Sequence, residues 1–351
     1  MPAVEHLILT VDYELFGNGS GNVVDCVTKP LERMADVAER HGARLEIFVE
    51  ALEFDAMERS GMQHEAIMAV KSQLAQLVDR GHSLQLHLHP QWSGAQWQDG
   101  EWVLDELQWR TGDIDAVRLA PMLTTALQWL REAAGSSRQR RHGSVFRAGG
   151  WCIQPSREPL KALRSLNLTM DSSVAPGARS TDAVSWFDFR SCPALHWWPV
   201  DDDVCRAGND GFLEVPIAVG RVNALRHVRA RLQRAQEGEF CAGCVGTYRN
   251  RRSGLSRYVD LLQKVWDSRR AMLDFCALPA ELLIDVTHDW LRRSSKNAAV
   301  PVVAIGHTKN FSDAAEREFD SFLTWAVARS PMQFSSYDEW RQTVAPVSVQ
   351  S

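Results

Sequence analysis

The sequence lacks the features that mark three specialised classes of protein. It has no basic surplus, since 39 Lys and Arg stand against 44 Asp and Glu for a net charge of −5, whereas nucleic-acid-binding domains are typically basic. It has no run of the roughly 20 apolar residues that spans a bilayer. Its first residues have neither the basic start nor the apolar stretch of a secretory signal. We therefore expect a cytoplasmic protein without a transmembrane segment and without a nucleic-acid partner.

Cysteine is also scarce. The seven Cys are scattered over 351 residues, which excludes a small secreted domain held together by disulfides and predicts that most are reduced thiols. Cys241 and Cys244 have the CxxC spacing, but no second pair or His accompanies them at the spacing of a zinc site. We interpret these two residues as ordinary thiols.

Short apolar runs alternate with amphipathic segments along most of the chain. Segments 29–42, 64–81 and 121–135 carry apolar residues at three- and four-residue spacing and end in Gly, which is typical of helices. Such alternation predicts a mostly parallel sheet in an α/β protein, and the chain is long enough for one α/β barrel. The predicted strands are 7–11, 45–49, 84–88, 145–148, 166–170, 212–219, 281–286, 300–305 and 332–336.

One segment interrupts this alternation. Between Arg221 and Arg270 there are 11 Arg and one Lys against four acidic residues, in a pattern that favours helices. We predict a helical, Arg-rich insertion over 221–280 on a single barrel that takes up 1–351. The insertion is either a solvated basic helix pair or a peripheral patch for an anionic group, such as the phosphates of an activated sugar or a membrane surface.

Acids, histidines and an arginine follow several predicted strands. Asp12 and Glu14 lie two residues apart at the end of the first strand, and His87 and His89 have the same spacing at the third. Alternate residues of a strand face the same side, and the carboxyl ends of barrel strands form one face. We therefore expect one site at this face. Three further strands end near Arg147, Asp171 and His307.

A carboxylate and two imidazoles are a ligand set for a catalytic divalent metal, most commonly Zn²⁺, which keeps one position open. Glu14, His87 and His89 could supply this set. Asp12 would then be the general base for water, and His307 the general acid. The predicted reaction class is metal-assisted hydrolysis of an ester or amide.

The ordered motifs resemble those of the polysaccharide deacetylases, the NodB-like carbohydrate esterases, whose fold is a distorted (β/α)7 TIM-like barrel. The resemblance covers about residues 5 to 340. It implies that Asp12 is the catalytic base, that Arg147 orients it, that Asp171 adds to the electrostatics around this pair, and that His307 supplies the acid. It also implies a divalent metal at Glu14 and the histidines. The matching segments are 10–14, 81–91, 146–151, 171–173 and 305–307.

The second motif departs from the family pattern, which has His at positions i and i+4. Gln91 stands four residues after His87, and Gln is a poor ligand for Zn²⁺. Three interpretations follow: His89 substitutes for the missing ligand, the metal is held weakly, or the metal site has been lost.

The resemblance implies removal of an N-acyl group, foremost N-acetyl, from an amino sugar or an activated saccharide precursor. An amidase for a non-carbohydrate C–N bond and a catalytically silent saccharide-binding barrel are the alternatives. Nine of the 13 Trp fall between residues 92 and 198, and eight of these follow predicted strands. Because aromatic rings present large, rigid faces for stacking, we expect Trp92 and Trp151, together with Gln91, to contact the saccharide.

Overall fold

The computed structural model describes residues 4–135, 142–182, 185–236, 269–293 and 299–344. Strands and helices alternate through most of these ranges. The strands are β1 (Val4–Tyr13), β2 (Leu45–Glu50), β3 (Ser83–Leu88), β4 (Gln96–Gln98), β5 (Glu101–Val103), β6 (Val145–Ala148), β7 (Met170–Asp171), β8 (Arg179–Thr181), β9 (Trp186–Asp188), β10 (Trp198–Pro199), β11 (Leu213–Glu214), β12 (Val219–Arg221), β13 (Arg270–Met272), β14 (Ala299–His307) and β15 (Met332–Phe334). The helices are α1 (Lys29–Arg40), α2 (Ala51–Ser60), α3 (His64–Asp79), α4 (Ala116–Ala133), α5 (Arg157–Ser165), α6 (Ala224–Gln236), α7 (Ala280–Leu291), α8 (Asp313–Val327) and α9 (Tyr337–Thr343).

The main sheet runs in the order β10, β11, β7, β6, β3, β2, β1 and β14, and β15 pairs with the start of β1. All of its pairs are parallel except β10 with β11. The chain after β11 then reaches the opposite edge, because Ile217 forms a parallel bridge to Val303 of β14. The Ala218 amide donates to the Val303 carbonyl at 2.9 Å. The sheet thus curls into a ring, and the predicted α/β fold, a distorted TIM-like barrel, is confirmed.

The apolar runs of the sequence become the inner strands because they are covered on both faces. Every residue of β2 and β3 is buried, and so are the last eight residues of β1. The helices bury one stripe each. In α1 the buried side chains include Leu31, Met34 and Ala38, at the three- and four-residue spacing that faces a core.

Three predicted strands differ from the structure. The strand predicted over 212–219 is divided between β11, which ends at Glu214, and β12, which begins at Val219. Residues 281–286 belong to helix α7, whose buried Leu282, Leu283, Val286 and Trp290 recur at helical spacing. A short apolar run has the same appearance in a buried helix as in a strand, so the prediction of a strand there is wrong. In the predicted strand 166–170, only Met170 is extended, because Asn167 turns the chain after α5 with φ of 61°.

The Arg-rich segment begins and ends at one place on the barrel. β12 and β13 pair antiparallel, with Arg221 opposite Arg270, and α6 follows β12 directly. Residues 237–268, which include Cys241 and Cys244, lie outside the described residues. The extent of the insertion and its contact with anionic groups stay predictions.

Two further observations bear on the opening expectations. Cys192 and Cys205 form a disulfide, so these two are exceptions to the expectation that most of the seven Cys are reduced thiols. They lie in the loops around β10, where the chain brings them together. Among the helices in the described ranges, none combines the length and the apolar character needed to cross a bilayer.

Candidate active site

An ion pair between Asp12 and Arg147 lies at the carboxyl ends of β1 and β6. Arg147 is fully buried, and its Nη1 donates to Asp12 Oδ1 at 2.6 Å. Its Nη2 donates to Thr10 Oγ1 at 3.1 Å, and its Nε donates to the Ser172 carbonyl at 3.0 Å. The guanidinium also lies over the Phe48 ring, 4.0 Å from the centroid. These contacts fix the orientation of the guanidinium, and through it that of Asp12.

The second oxygen of Asp12 faces a histidine. Asp12 Oδ2 lies 3.4 Å from Nε2 of His307, which ends β14 in register with Asp12. Burial opposes ionisation of Asp12, but Arg147, His87 and His307 outweigh it and hold the pKa of this carboxyl below its usual range. The structure therefore places an ionised carboxylate between a fixed cation and an imidazole, which is an arrangement for moving a proton.

Glu14, His87 and His89 converge beside this pair. Glu14 Oε2 lies 3.4 Å from Nε2 of His87 and 3.2 Å from Nδ1 of His89. The candidate ligand atoms of the three residues all lie within 4.8 Å of one another, and all three side chains are buried. The sequence predicted this convergence from residue spacing alone.

The donor set fits a divalent cation. His87 Nδ1 lies 2.9 Å from the Arg147 carbonyl, and because a carbonyl only accepts, this nitrogen carries the proton. In the neutral ring the lone pair is then on Nε2, which faces Glu14 Oε2. Both atoms are buried, and neither makes a hydrogen bond of normal geometry within the described residues. A metal held by Glu14 and the two histidines would satisfy both atoms.

Glu50, at the end of β2, supports His89. Its Oε2 lies 3.0 Å from His89 Nδ1. Burial raises the pKa of Glu50 to about 7, although His89 opposes this shift. Histidine ligands of metals usually donate their other ring N–H to a carboxylate, a carbonyl or water, which fixes the orientation of the ring. With Nδ1 donating to Glu50, the lone pair that could bind a metal is on Nε2 of His89. The sequence signal for Glu50 was its position after the second strand, but Glu50 was not among the predicted site residues.

Lys309 is a second residue that the sequence prediction missed. It lies in a 3₁₀ turn, Thr308–Asn310, directly after β14. Its Nζ donates to Glu14 Oε1 at 2.8 Å and to the Leu15 carbonyl at 3.0 Å. Burial disfavours the charged form of Glu14, but Lys309, followed by the two histidines, brings the pKa of Glu14 well below its usual range. Each acid of the Asp12 and Glu14 pair thus has its own cationic side chain.

Asp171 is fully buried but belongs to a neighbouring network. Its Oδ1 accepts from Ser173 Oγ at 2.7 Å, and its Oδ2 accepts from the Ser173 amide at 3.1 Å. Glu214 stands opposite Asp171 on β11, and burial raises the pKa of both carboxyl groups. Asp171 therefore holds the backbone at Ser173, next to the Ser172 carbonyl that accepts a hydrogen bond from Arg147. Glu214 was missed because it lies inside an apolar run, where a carboxylate was not expected to face the barrel.

Two of the predicted substrate contacts are buried. Trp92 is 0% exposed and packs edge-on against Trp102, with 5.2 Å between ring centroids. Gln91 is also fully buried, and its Nε2 donates to the Gly17 carbonyl at 3.3 Å. The short turn Pro90–Trp92 directs both side chains into the interior. Both side chains therefore pack in the interior beside the loop after β1, and their contact with a saccharide stays a prediction.

Trp151 lies where a substrate contact was predicted. It is partly exposed, and its ring centroid is 6.2 Å from that of His307 in an edge-on arrangement. It also packs edge-on against Phe187 at 6.0 Å. Trp151 is thus a wall of the site beside His307.

A glycine in the third motif leaves room for His89. A Cβ at Gly149 would lie 2.1 Å from His89 Cδ2, which is far inside van der Waals contact. We expect Gly149→Ala to displace the imidazole and to weaken Zn²⁺ binding at least about tenfold, as measured by calorimetric titration. Gly94→Ala is the matched control, because a Cβ there meets nothing within 4 Å. Equal affinities of both variants would show that His89 is not a ligand.

Comparisons with known proteins give similar folds only. No family model matches the chain, and no curated protein matches it. A protein described as a polysaccharide deacetylase of Mycobacterium smegmatis has a TM-score of 0.49 at 11% identity, over 99% of this chain and 93% of its own. A polysaccharide deacetylase from Pseudomonas aeruginosa PAO1 has a TM-score of 0.47 at 11% identity, over 97% of this chain and 91% of its own. The allantoinase Puue has a TM-score of 0.48 at 11% identity, over 97% of this chain and 90% of its own.

Proposed function

We propose that this protein is a metal-dependent hydrolase that removes an N-acetyl group from an amino sugar or a saccharide precursor. One observation carries the proposal. Two groups of side chains lie side by side at one end of the barrel: Asp12 with Arg147 and His307, and Glu14 with His87 and His89. The first group can move a proton, and the second can hold a divalent cation.

Glu14, His87 and His89 would hold the metal. Bound there, a divalent cation would polarise the amide carbonyl and make an attacking water more acidic. The proposal leaves Gln91 out of the ligand set, because Gln is a poor ligand for Zn²⁺ and its amide nitrogen donates to the Gly17 carbonyl. This assignment adopts His89 as the substitute for the histidine that the family pattern places at Gln91.

Asp12 and His307 each carry out one of the two proton transfers. Asp12, kept ionised by Arg147, accepts the proton of water as the water oxygen bonds to the carbonyl carbon. His307 donates a proton to the nitrogen as the C–N bond breaks, which releases the free amine and acetate. Asp12 Oδ2 and His307 Nε2 lie 3.4 Å apart. The proton that Asp12 takes from water can therefore pass to the His307 imidazole after the reaction.

Trp151 supports a saccharide as the substrate. Its partly exposed ring stands edge-on to His307, so a pyranose ring stacked on it would lie close to the general acid. An amidase acting on a non-carbohydrate C–N bond would use the same proton-transfer residues. The substrate therefore distinguishes these two hypotheses, and metal content distinguishes both from a silent saccharide-binding barrel.

The test combines metal analysis with a substrate panel. After incubation of the protein with Zn²⁺, elemental analysis is expected to show one divalent metal per chain, and chelation is expected to abolish activity until the metal is restored. The panel sets N-acetylated amino sugars, free and nucleotide-activated, against cyclic amides and ureides. Release of acetate from the sugars alone supports the proposal, and hydrolysis of the cyclic amides alone overturns it in favour of the amidase. Absence of both bound metal and turnover would favour the catalytically silent saccharide-binding barrel.

A further inference from the structure

Lys309 pairs with one of the two carboxylate oxygens of Glu14, a proposed ligand of the metal. Its Nζ lies 2.8 Å from Glu14 Oε1, while Glu14 Oε2 faces the two histidines. The ammonium is also held by the Leu15 carbonyl at 3.0 Å, and it lies 5.5 Å from the centroid of the Phe16 ring. The Lys309 side chain is only 14% exposed. Lys309 is therefore a fixed part of the site and not a mobile surface charge.

Charge at the site is balanced before any metal binds. Asp12 is paired with Arg147, and Glu14 is paired with Lys309. A divalent cation would add positive charge to a buried site in which Asp12 and Glu14 already have cationic partners. Like charges repel strongly where water is excluded, so the Lys309 ammonium opposes a cation bound to the same carboxylate.

We propose that Lys309 is a positioning residue that limits Glu14 to one ligand oxygen and lowers the affinity of the site for divalent metal. This inference rests on the proposed function, because it concerns the same metal site. It gives a physical basis for weak metal binding that is independent of Gln91. It also explains how Glu14 keeps a defined orientation when no metal is bound.

The test compares Lys309→Met with Lys309→Arg and the unaltered protein. Met keeps the length and apolar stem of the side chain but removes the charge, whereas Arg keeps the charge. We expect Lys309→Met to bind Zn²⁺ at least about tenfold more tightly in calorimetric titration, and Lys309→Arg to stay within about threefold of the unaltered protein. Circular dichroism of the metal-free variants checks that they are folded.

Co²⁺ provides a readout of coordination that a merely structural role would not change. Its visible absorption weakens as its coordination number rises, so freeing the second oxygen of Glu14 in Lys309→Met should weaken the bands. Lys71→Met is the matched control, because Lys71 also pairs with a glutamate, Glu58, at 2.7 Å and lies 5.4 Å from the Trp129 ring centroid, but on α3. Its affinity and Co²⁺ spectrum should equal those of the unaltered protein.

The outcomes separate this inference from the proposed function. Tighter binding in Lys309→Met, or binding in that variant alone, supports it. Equal affinity and equal spectra in the unaltered protein and Lys309→Met overturn the inference and leave the metal site standing. If neither protein binds Zn²⁺ or Co²⁺, the inference and the metal-dependent function both fail.

Discussion

Asp12→Asn is expected to lower kcat by about 10²–10⁴-fold, the contribution of a positioned general base. The amide cannot take up a proton from water, but its oxygen can still accept the hydrogen bond that Arg147 Nη1 donates to Asp12 Oδ1 at 2.6 Å. The local geometry is thus kept while the proton acceptor is lost. The measurement is kcat for the best substrate of the panel, together with the metal content of the variant.

Asp320→Asn is the matched control for this change. Asp320 is a partly exposed residue of α8 that pairs with Arg40 and His41 and is not part of the candidate site. We expect it to leave kcat unchanged. Asp12→Asn should also keep its metal, since Glu14 and the two histidines are the proposed ligands. Normal turnover in Asp12→Asn would remove Asp12 from the role of base, and loss of the metal would make Asp12 a ligand instead.

Arg147→Met is expected to destabilise the fold by about 3–5 kcal/mol, because breaking a buried ion pair leaves an uncompensated charge in the interior. Arg147 is fully buried and donates to Asp12, Thr10 and Ser172. Methionine has a similar apolar stem but satisfies none of these acceptors. The free energy of unfolding, obtained from urea titration, measures the effect.

The surface pair of Arg33 with Asp313 provides the comparison. The Arg33 side chain is 38% exposed, and exposed pairs contribute about 0–1 kcal/mol, so Arg33→Met should cost little. The double variant of Arg147→Met and Asp12→Asn should lose less stability than the two single changes summed, because neither charge is then left alone. If Arg147→Met lowers the free energy of unfolding by no more than Arg33→Met does, the buried pair does not stabilise the fold.

Much of the fold was predictable because strand and helix periodicities are local. The buried runs at 7–11, 45–49 and 84–88 became β1, β2 and β3 within a few residues at either end. The failure at 281–286 has the same physical origin, since a short apolar run does not distinguish a buried strand from a buried helix. Closure of the ring through Ile217 and Val303 was outside the reach of the sequence pattern, because it depends on contacts far apart along the chain.

The candidate site was predictable where its residues end strands at period two. Asp12, Glu14, His87 and His89 follow that rule, and the structure brings them together. A position after a strand does not reveal whether a side chain turns inward or toward the opening, and the structure turns Trp92 and Gln91 inward. Both are 0% exposed.

By itself, the sequence determined which residue types stand at the carboxyl end of each strand, because the alternation of side chains and the direction of parallel strands are properties of the local backbone. Only the tertiary structure decided the partners of those residues. Packing placed Arg147 on Asp12, Glu50 on His89, Lys309 on Glu14 and Glu214 beside Asp171. Charge pairing in a buried site depends on distances of a few ångströms between strands distant in sequence, and no local pattern contains those distances.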